Sequence, residues 1–246
     1  MVTPVLSPDQ GGTIVPHELT LSLYRKMLTT LYVDERLKVF ARQGKCTFHA
    51  STRGHEKIQA AMTLLLQPRH DWFFTYYREK GIALGLEMPL RDLFLAMLSR
   101  EGDPGSNARN MPEHFSSPEL HLVAQTACTG TQFLPAVGMA KALRKDGSGA
   151  IVYVSSGEGA TSEGEFFEAL NWAARDHLPV LFVIQNNGYA ISVPQSSQTV
   201  SEIHRIARGF GVASYDLDGT WFEPMYQTLP PVIRRMREGG GPALVE

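Results

Sequence analysis

The sequence has little of several features that mark common classes of protein. It contains two cysteines, Cys46 and Cys128, which form neither a disulfide framework nor zinc-ligand spacing, so we expect two reduced thiols. The net charge is −2 without a basic block, which argues against nucleic-acid binding. The longest apolar runs, such as residues 178–184, are too short to cross a bilayer. We therefore expect neither nucleic-acid nor membrane partners.

The N-terminal segment lacks the marks of a targeting sequence. Residues 1–16 carry no Lys or Arg and contain Pro, Gly, Asp and Ser, unlike secretory or transit peptides. We expect this segment to be a flexible tail and the protein to be cytoplasmic. The remaining residues, 17–246, are enough for one large α/β domain with a sizeable core.

Helical periodicity dominates the first third of the chain. It predicts helices over residues 18–44, over about 54–66, and from Pro89 onwards. The predicted apolar stripe of the first helix consists of Tyr24, Met27, Leu28 and Leu31. Residues 102–120 hold Gly, Pro, Ser and Asn without periodicity, which predicts a long loop of the kind that often carries function.

Strands and helices then alternate. Residues 150–155 (AIVYVS) and 178–185 (LPVLFVIQ) are short apolar runs typical of buried parallel strands. Helical spacing between them predicts a right-handed βαβ unit, and a further helix and strand are expected over residues 202–210 and 212–215. The final PALVE run has no closing element, so we expect a domain that is incomplete at its C-terminal end. The pattern predicts an α/β fold, a parallel sheet flanked by helices, with a helical N-terminal segment.

Polar residues and glycines follow the two strands of the βαβ unit. Glu158 lies in the turn GEGATSEG after the first strand, and Asn187 lies in NNGY after the second. Because neighbouring parallel strands end at the same edge of a sheet, we expect these side chains to lie close together. Carboxylate and amide oxygens suit Mg²⁺, which takes its other ligands from phosphate and water. Glycines and a following helix N-terminus allow close approach of phosphate groups.

Three other interpretations of the glycine-rich turn compete. A dinucleotide-binding turn would need Gly-x-Gly-x-x-Gly, but here the third glycine, Gly164, comes two positions late. A Walker loop would need Gly-Lys-Ser/Thr, which is absent from the sequence. A plain structural turn explains the triplet alone, but not the pair of asparagines one crossover later.

The segment GEGATSEGEFFEALNWAARDHLPVLFVIQNNGYAIS closely resembles the thiamine diphosphate motif, in which G-D/E-G is followed one crossover later by N-N. In detail it resembles the α chain of bacterial 2-oxo acid dehydrogenases. The likeness extends over GHEKIQAA, YYREKG, ARNMPEHFSS and TACTGTQFLPAVG. Glu in the first triplet and the NMPEHFSS loop resemble the branched-chain members. This resemblance implies the thiamine diphosphate-binding fold.

The resemblance also implies roles for individual residues. Mg²⁺ would be ligated by Glu158, Asn187 and the backbone carbonyl of Tyr189. Tyr77 and Arg78 match the pair that contacts the diphosphate, where the planar fork of Arg suits phosphate oxygens. A surface salt bridge is the alternative for Arg78. The remaining implied cofactor-binding residues are Gly157, Gly159, Ala160, Ala127, Thr129 and Gln185.

These residues would act in different ways. Gly159 and Ala160 would offer backbone N–H groups to the phosphate, and Ala127 and Thr129 would meet the aminopyrimidine ring chiefly through backbone. Gln185 stands where some relatives have an Arg that contacts the diphosphate, so it can hydrogen-bond but not neutralise. A loop that holds a potassium ion in some members is matched by Thr126, Cys128, Thr131 and Gln132.

His114 matches a histidine in the active-site loop of the family. A proton-transfer or substrate-orienting role suits a side chain that titrates near neutrality, and a solvent-exposed loop residue is the alternative.

The implied reaction is oxidative decarboxylation of a branched-chain 2-oxo acid such as 3-methyl-2-oxobutanoate, with the cofactor ring as electron sink. The acyl group would pass to a lipoyl group of a partner acyltransferase. A β chain, separate or fused, would supply the glutamate that activates the pyrimidine ring, in an α2β2-type assembly. A pyruvate or acetoin dehydrogenase α chain is one alternative, and a non-catalytic binding module with the same fold is another.

Overall fold

The computed structural model describes residues 15–246, so the expected tail lies almost wholly outside the described residues. The helices are α1 (His17–Arg42), α2 (Glu56–Leu65), α3 (Lys80–Gly85), α4 (Leu90–Met97), α5 (Phe133–Asp146), α6 (Gly164–Arg175), α7 (Ile203–Gly209) and α8 (Phe222–Arg237). The strands are β1 (Trp72–Phe74), β2 (Val152–Gly157), β3 (Val180–Gln185), β4 (Tyr189–Ala190), β5 (Val193–Pro194), β6 (Ala213–Tyr215) and β7 (Ala243–Val245). Within this part of the chain, no helix is both long and apolar enough to cross a membrane.

A parallel sheet forms the centre of the fold. Its strand order is β1-β2-β3-β7-β6, and every neighbouring pair is parallel. The register of β2 and β3 pairs Val152 with Val180 and Gly157 with Gln185. The two strands therefore end side by side, and the residues that follow them begin at the same edge of the sheet. This confirms the predicted βαβ unit.

Two layers of helices cover the sheet. Alternate residues of a strand point to opposite faces, so Val152 and Val154 pack with α5, α6 and α7, whereas Tyr153 packs with α1, α2, α3, α4 and α8. Both faces of β2 and β3 are buried, which explains why these strands are apolar runs rather than alternating patterns. The predicted fold class, a parallel sheet flanked by helices, is confirmed.

Helix α1 has the predicted extent but a different buried face. Tyr24 is 57% exposed, and the buried residues of the helix include Leu23, Leu37 and the polar Asp34. Asp34 faces the core because its carboxylate lies 3.2 Å from the ammonium of the fully buried Lys80. The predicted stripe was correct for Met27, which packs against the core, but wrong for Tyr24, because the buried ion pair moves the core-facing side of the helix towards Asp34.

The PALVE run at the end of the chain forms a strand, β7, which lies between β3 and β6. The expected incompleteness of the domain after this strand stays a prediction. The preceding helix, α8, contains Pro230 and Pro231, which obscure its periodicity in the sequence. The predicted loop over residues 102–120 is confirmed, with one short turn of 3-10 helix at Pro118–Leu120.

Candidate active site

A pocket of about 280 Å³ opens at the carboxyl ends of β2 and β3. Four parts of the chain surround it: the segment after β1, the loop before α5, the turn after β2 and the turn after β3. The predicted site residues that line this pocket are Tyr77, Arg78, Ala127, Thr129, Gly157, Glu158, Gly159, Ala160, Asn187 and Tyr189. The structure therefore brings together residues that lie as far apart in sequence as Tyr77 and Tyr189.

Glu158 is the acidic residue of the pocket. It begins a turn of 3-10 helix directly after β2, and it is only 3% exposed. Its Oε2 accepts a hydrogen bond from the backbone N–H of Asn187 at 3.3 Å, whereas its Oε1 is buried without a partner among residues 15–246. Burial raises the pKa of Glu158. A buried carboxylate oxygen without a donor is costly, and a bound cation would compensate it.

The loop after β3 presents further oxygen atoms. The amide Oδ1 of Asn187 accepts from the backbone N–H of Tyr189 at 3.0 Å, and Gly188 has a φ of +83°, which lets the chain turn back. The neighbouring Asn186 anchors this loop, because its Nδ2 donates to Glu246 Oε1 at 2.8 Å. The described residues hold no group of three His, Cys, Asp or Glu side chains that could bind a metal. One carboxylate with amide and carbonyl oxygens suits a hard cation that also binds phosphate and water.

Gly159 permits a close approach of two turns. A Cβ atom at this position would lie 2.6 Å from the Cβ of Ala190, so an alanine does not fit without a shift. The glycine therefore lets the turn after β2 pack against β4 while its backbone faces the pocket. This close approach gives a steric reason for the second glycine of the GEG triplet.

Arg78 supplies the positive charge of the pocket. It is the only Lys or Arg among the described residues that line it. One guanidinium nitrogen donates to the backbone carbonyl of Ser51 at 2.7 Å, and the guanidinium lies 5.5 Å from the centre of the Tyr77 ring. These contacts leave other guanidinium donors for an anion. Arg78 also acts against the effect of burial on the pKa of Glu158, because its charge favours the carboxylate.

The loop before α5 contains the residues expected at a potassium site. The hydroxyl groups of Thr126 and Thr131 contact each other, and both donate to the backbone carbonyl of Cys128, at 3.2 and 2.8 Å. Gln132 also lines the pocket, and its Nε2 donates to the carbonyl of Ser155 at 2.8 Å. The hydroxyl oxygens of Thr126 and Thr131 and the carbonyl oxygen of Cys128 thus lie close together on this loop. Potassium binding at these atoms stays a prediction.

Two predicted site residues do not line the pocket. Gln185 is buried and bonds to Gln59 and Glu79, and it borders a separate cavity of about 430 Å³. His114 is 6% exposed, with its Nδ1 3.0 Å from the carbonyl of Pro112, and it borders a separate cavity of about 10 Å³. The solvent-exposed alternative for His114 is wrong, and its proposed part in the reaction stays a prediction.

The pocket also contains residues that sequence reasoning missed. Tyr76 lines it directly before the predicted pair, and Gln125 lines it with a buried Oε1 that has no partner in the described part of the chain. No spacing or composition marks Gln125 in the sequence. The stretch TACTG, which carries the predicted ring contacts, begins one residue later.

Comparison with known proteins identifies the family of this chain. A family model described as the dehydrogenase E1 component matches residues 24–246. The chain belongs to this family. Within the E1 family, it is 35% identical to the 2-oxoisovalerate dehydrogenase subunit alpha of Bacillus subtilis, over 92% of this chain and 69% of that protein. It is 32% identical to the pyruvate dehydrogenase E1 component subunit alpha of Staphylococcus aureus, over 97% of this chain and 64% of that protein.

The fold of this E1 family member also resembles a solved structure. A protein from Mycobacterium smegmatis, named as a thiamin diphosphate-dependent enzyme, matches 77% of this chain and 30% of its own chain. The TM-score is 0.51 and the sequence identity is 19%, so this likeness concerns the fold. The chain thus spans about two thirds of the bacterial relatives and a smaller part of the solved structure.

Proposed function

We propose that this chain is the α subunit of a 2-oxo acid dehydrogenase decarboxylating component that binds thiamine diphosphate and Mg²⁺ in the pocket after β2 and β3. One observation carries the proposal. The pocket combines a buried carboxylate oxygen without a partner, on Glu158, with the guanidinium of Arg78 and a glycine-rich turn. A metal diphosphate has the complementary charges, a divalent cation for the carboxylate and phosphate oxygens for the guanidinium.

Different residues of the pocket would bind the metal and the phosphate groups. Glu158, Asn187 and the carbonyl of Tyr189 would hold the metal, and Arg78 would bind phosphate oxygens through its remaining donors. Backbone N–H groups of Gly159 and Ala160 would complete the phosphate site. When bound, the cofactor supplies an electron sink for the bond that breaks in decarboxylation. The task of this chain is therefore to bind, orient and neutralise the diphosphate end.

The same geometry supports the proposal of a partner chain. Activation of the aminopyrimidine ring needs a second carboxylate, and Glu158 is the only Asp or Glu among the described residues that line the pocket. Glu158 is assigned to the metal at the phosphate end. We therefore infer that a β chain supplies the second carboxylate in an α2β2-type assembly, and that a lipoyl-bearing acyltransferase accepts the acyl group.

We further propose that the substrate is a branched-chain 2-oxo acid. The 35% identity to the 2-oxoisovalerate dehydrogenase subunit supports this choice over pyruvate, for which the relative is 32% identical. A panel of 2-oxo acids with the α–β complex and an artificial electron acceptor tests it. Faster turnover of 3-methyl-2-oxobutanoate than of pyruvate is expected, and the reverse order would assign a pyruvate dehydrogenase.

Cofactor binding is tested by calorimetric titration of the α–β complex with thiamine diphosphate. Binding is expected in the presence of Mg²⁺ and strongly reduced in the presence of a chelator. Glu163→Gln should bind the cofactor like the wild type, because this exposed residue lies on the same turn as Glu158 but does not line the pocket. Equal binding with and without Mg²⁺ would contradict the metal site.

The need for a partner is tested with the 246-residue chain alone. It should not decarboxylate any 2-oxo acid at saturating thiamine diphosphate and Mg²⁺, and co-expression with a β chain should restore turnover. Substantial turnover by the chain alone would show that it holds a complete site, with an activating carboxylate of its own.

A further inference from the structure

A buried carboxyl group lies directly behind the proposed cofactor pocket. Glu79 is 2% exposed and follows the pocket-lining residues Tyr76, Tyr77 and Arg78 in the chain. Its carboxylate accepts hydrogen bonds from the hydroxyl groups of Tyr153 and Ser155, from Nε2 of Gln185, and from the backbone N–H of Tyr76 at 3.4 Å. All four partners are neutral groups, so none of them balances a charge on Glu79.

The two cations next to Glu79 in sequence point elsewhere. Arg78 donates to the carbonyl of Ser51 at 2.7 Å and lines the pocket. Lys80 is fully buried, with its ammonium 2.8 Å from Glu113 and 3.2 Å from Asp34. Neither cation forms an ion pair with Glu79.

The elements packed around Glu79 supply titratable groups but no further cation. Tyr153 on β2 bonds to the carboxyl group directly, and Tyr76 contacts it through its backbone N–H. Glu158 lies directly after β2. The side chains on this side of β3 and α2 are the neutral amides of Gln185 and Gln59. An ionised Glu79 would therefore be a buried charge without a counter-charge, which is costly.

The orientation of Gln185 is fixed by a chain of hydrogen bonds. The backbone N–H of Gly81 donates to Gln59 Oε1 at 3.0 Å, and Gln59 Nε2 donates to Gln185 Oε1 at 2.8 Å. The N–H donors of Gln185 are thereby directed at Glu79 rather than at the pocket. Tyr153 and Ser155 can donate or accept, so the network has room for one proton on the carboxyl group. Burial raises the pKa of Glu79 to about 7, although its four hydrogen bonds lower it.

We propose that Glu79 is a proton-binding positioning residue of the cofactor pocket, and that Gln185 serves Glu79 rather than the diphosphate. The protonated group ties the backbone of Tyr76 to the end of β2, next to the pocket-lining residues Ser156 and Gly157. Its ionisation places a negative charge behind a pocket for an anionic diphosphate, which weakens cofactor binding. This inference rests on the proposed function for its ligand.

The test compares the wild type with Glu79→Gln, which keeps the shape of the protonated acid but cannot ionise. The dissociation constant of thiamine diphosphate with saturating Mg²⁺ is measured on the α–β complex from about pH 6 to about pH 8.5. The diphosphate of the cofactor titrates in the same way with both proteins, so its effect cancels in the ratio of the two dissociation constants. We expect the two proteins to bind equally at the acidic end, and the wild type to bind about three- to tenfold more weakly at the alkaline end. A ratio that is independent of pH would overturn the inference.

Two further variants support this comparison. Glu119→Gln is the matched control, since this carboxylate is exposed and lies far along the chain from the network, and its ratio to the wild type should stay constant. Gln185→Arg would place a cation against the Glu79 carboxylate and should also remove the pH dependence. This variant keeps the inference testable if Glu79→Gln does not fold.

A measurement without cofactor separates the two proposals. A carboxyl group with a raised pKa in the folded state keeps its proton while the unfolded chain loses it, so its contribution to stability falls between the ordinary pKa near 4.5 and about 7. The thermal midpoint of the wild-type chain should therefore fall relative to Glu79→Gln across this range. The infrared band of a protonated carboxyl group at acidic pH should be lost in Glu79→Gln.

The pH-dependent thermal midpoint and the infrared band are thus two signatures of a protonated Glu79. If both are observed but the cofactor does not bind, the proposed function is wrong, while the inference that Glu79 binds a proton stands. If the cofactor binds and both signatures are missing, the inference is wrong.

Discussion

The backbone N–H of Asn187 donates to Oε2 of Glu158 at 3.3 Å, which joins the turn after β2 to the loop after β3. This bond uses one oxygen of the carboxylate and leaves the other, Oε1, without a partner in the described chain. The turn and the loop thus support each other through this bond, while Oε1 of Glu158 and the second lone pair of Asn187 Oδ1 remain available to an ion. Their contributions to cofactor binding should consequently depend on each other.

A double-mutant cycle measures this dependence. Glu158→Ala and Asn187→Ala should each weaken Mg²⁺-dependent binding of thiamine diphosphate at least about tenfold, or about 1.4 kcal/mol. Their combination should cost less than the sum, because both serve one ion. The measurement is calorimetric titration of the α–β complex. Unchanged affinity in both single variants would rule out the metal assignment.

Arg78→Lys separates charge from geometry. Lysine keeps the positive charge but loses the planar fork, so the variant should bind thiamine diphosphate closer to Arg78→Ala than to the wild type. Arg53→Lys is a suitable control, because this exposed side chain pairs with Glu35 outside the pocket. Binding at wild-type strength by Arg78→Lys would show that Arg78 does not pair with the diphosphate through two hydrogen bonds.

Gly159→Ala tests the close approach to β4. The added Cβ would lie 2.6 Å from the Cβ of Ala190, so we expect a loss of about 1–3 kcal/mol in stability together with weaker cofactor binding. The double variant Gly159→Ala with Ala190→Gly removes the clash and should recover most of both losses. Gly138→Ala in α5 is the control, because its added Cβ meets no atom within 4 Å. Thermal unfolding and titration measure the outcomes, and an unaffected Gly159→Ala would contradict the steric argument.

Cysteine alkylation reports on occupancy of the pocket. Cys128 is exposed and lines the pocket, whereas Cys46 is buried, with its thiol bonded to the carbonyl of Phe48 and its pKa raised by burial. Iodoacetamide should therefore label Cys128 first, as seen by mass spectrometry. Thiamine diphosphate with Mg²⁺ should slow this labelling about tenfold or more in the α–β complex, and Cys128→Ser should abolish it. Labelling of Cys128 at an unchanged rate would place the cofactor elsewhere.

The sequence allowed the central part of the site to be predicted for a simple geometric reason. Apolar runs identified β2 and β3, and parallel neighbours end at one edge, so Glu158 and Asn187 had to lie close together. The role expected for Arg78 rests on resemblance to the E1 family, because no local pattern links it to Glu158, which comes 80 residues later in the sequence. The structure supplied that link through the pocket they share.

Other features could not be predicted because buried polar groups do not follow hydrophobic patterns. Asp34 and Lys80 form a buried ion pair that changes the core-facing side of α1. Gln185 ends an apolar strand and precedes the asparagines, but only its hydrogen bonds with Gln59 and Glu79 determine that its side chain is turned away from the pocket. Such orientations depend on partners that come together only in the folded chain.

The position of β7 has a consequence for how the protein is made. This strand is central in the sheet, between β3 and β6, although residues 243–245 come 58 residues after the end of β3. During synthesis, β1, β2 and β3 emerge early and can pair, but β6 has no neighbour until β7 has left the ribosome. The loop with Asn187 likewise receives its anchor, Glu246, only after the strand has formed. The nascent chain therefore exposes an unpaired edge of β3 until β7 has been made, and an unpaired edge is a site where chaperones or other chains can bind.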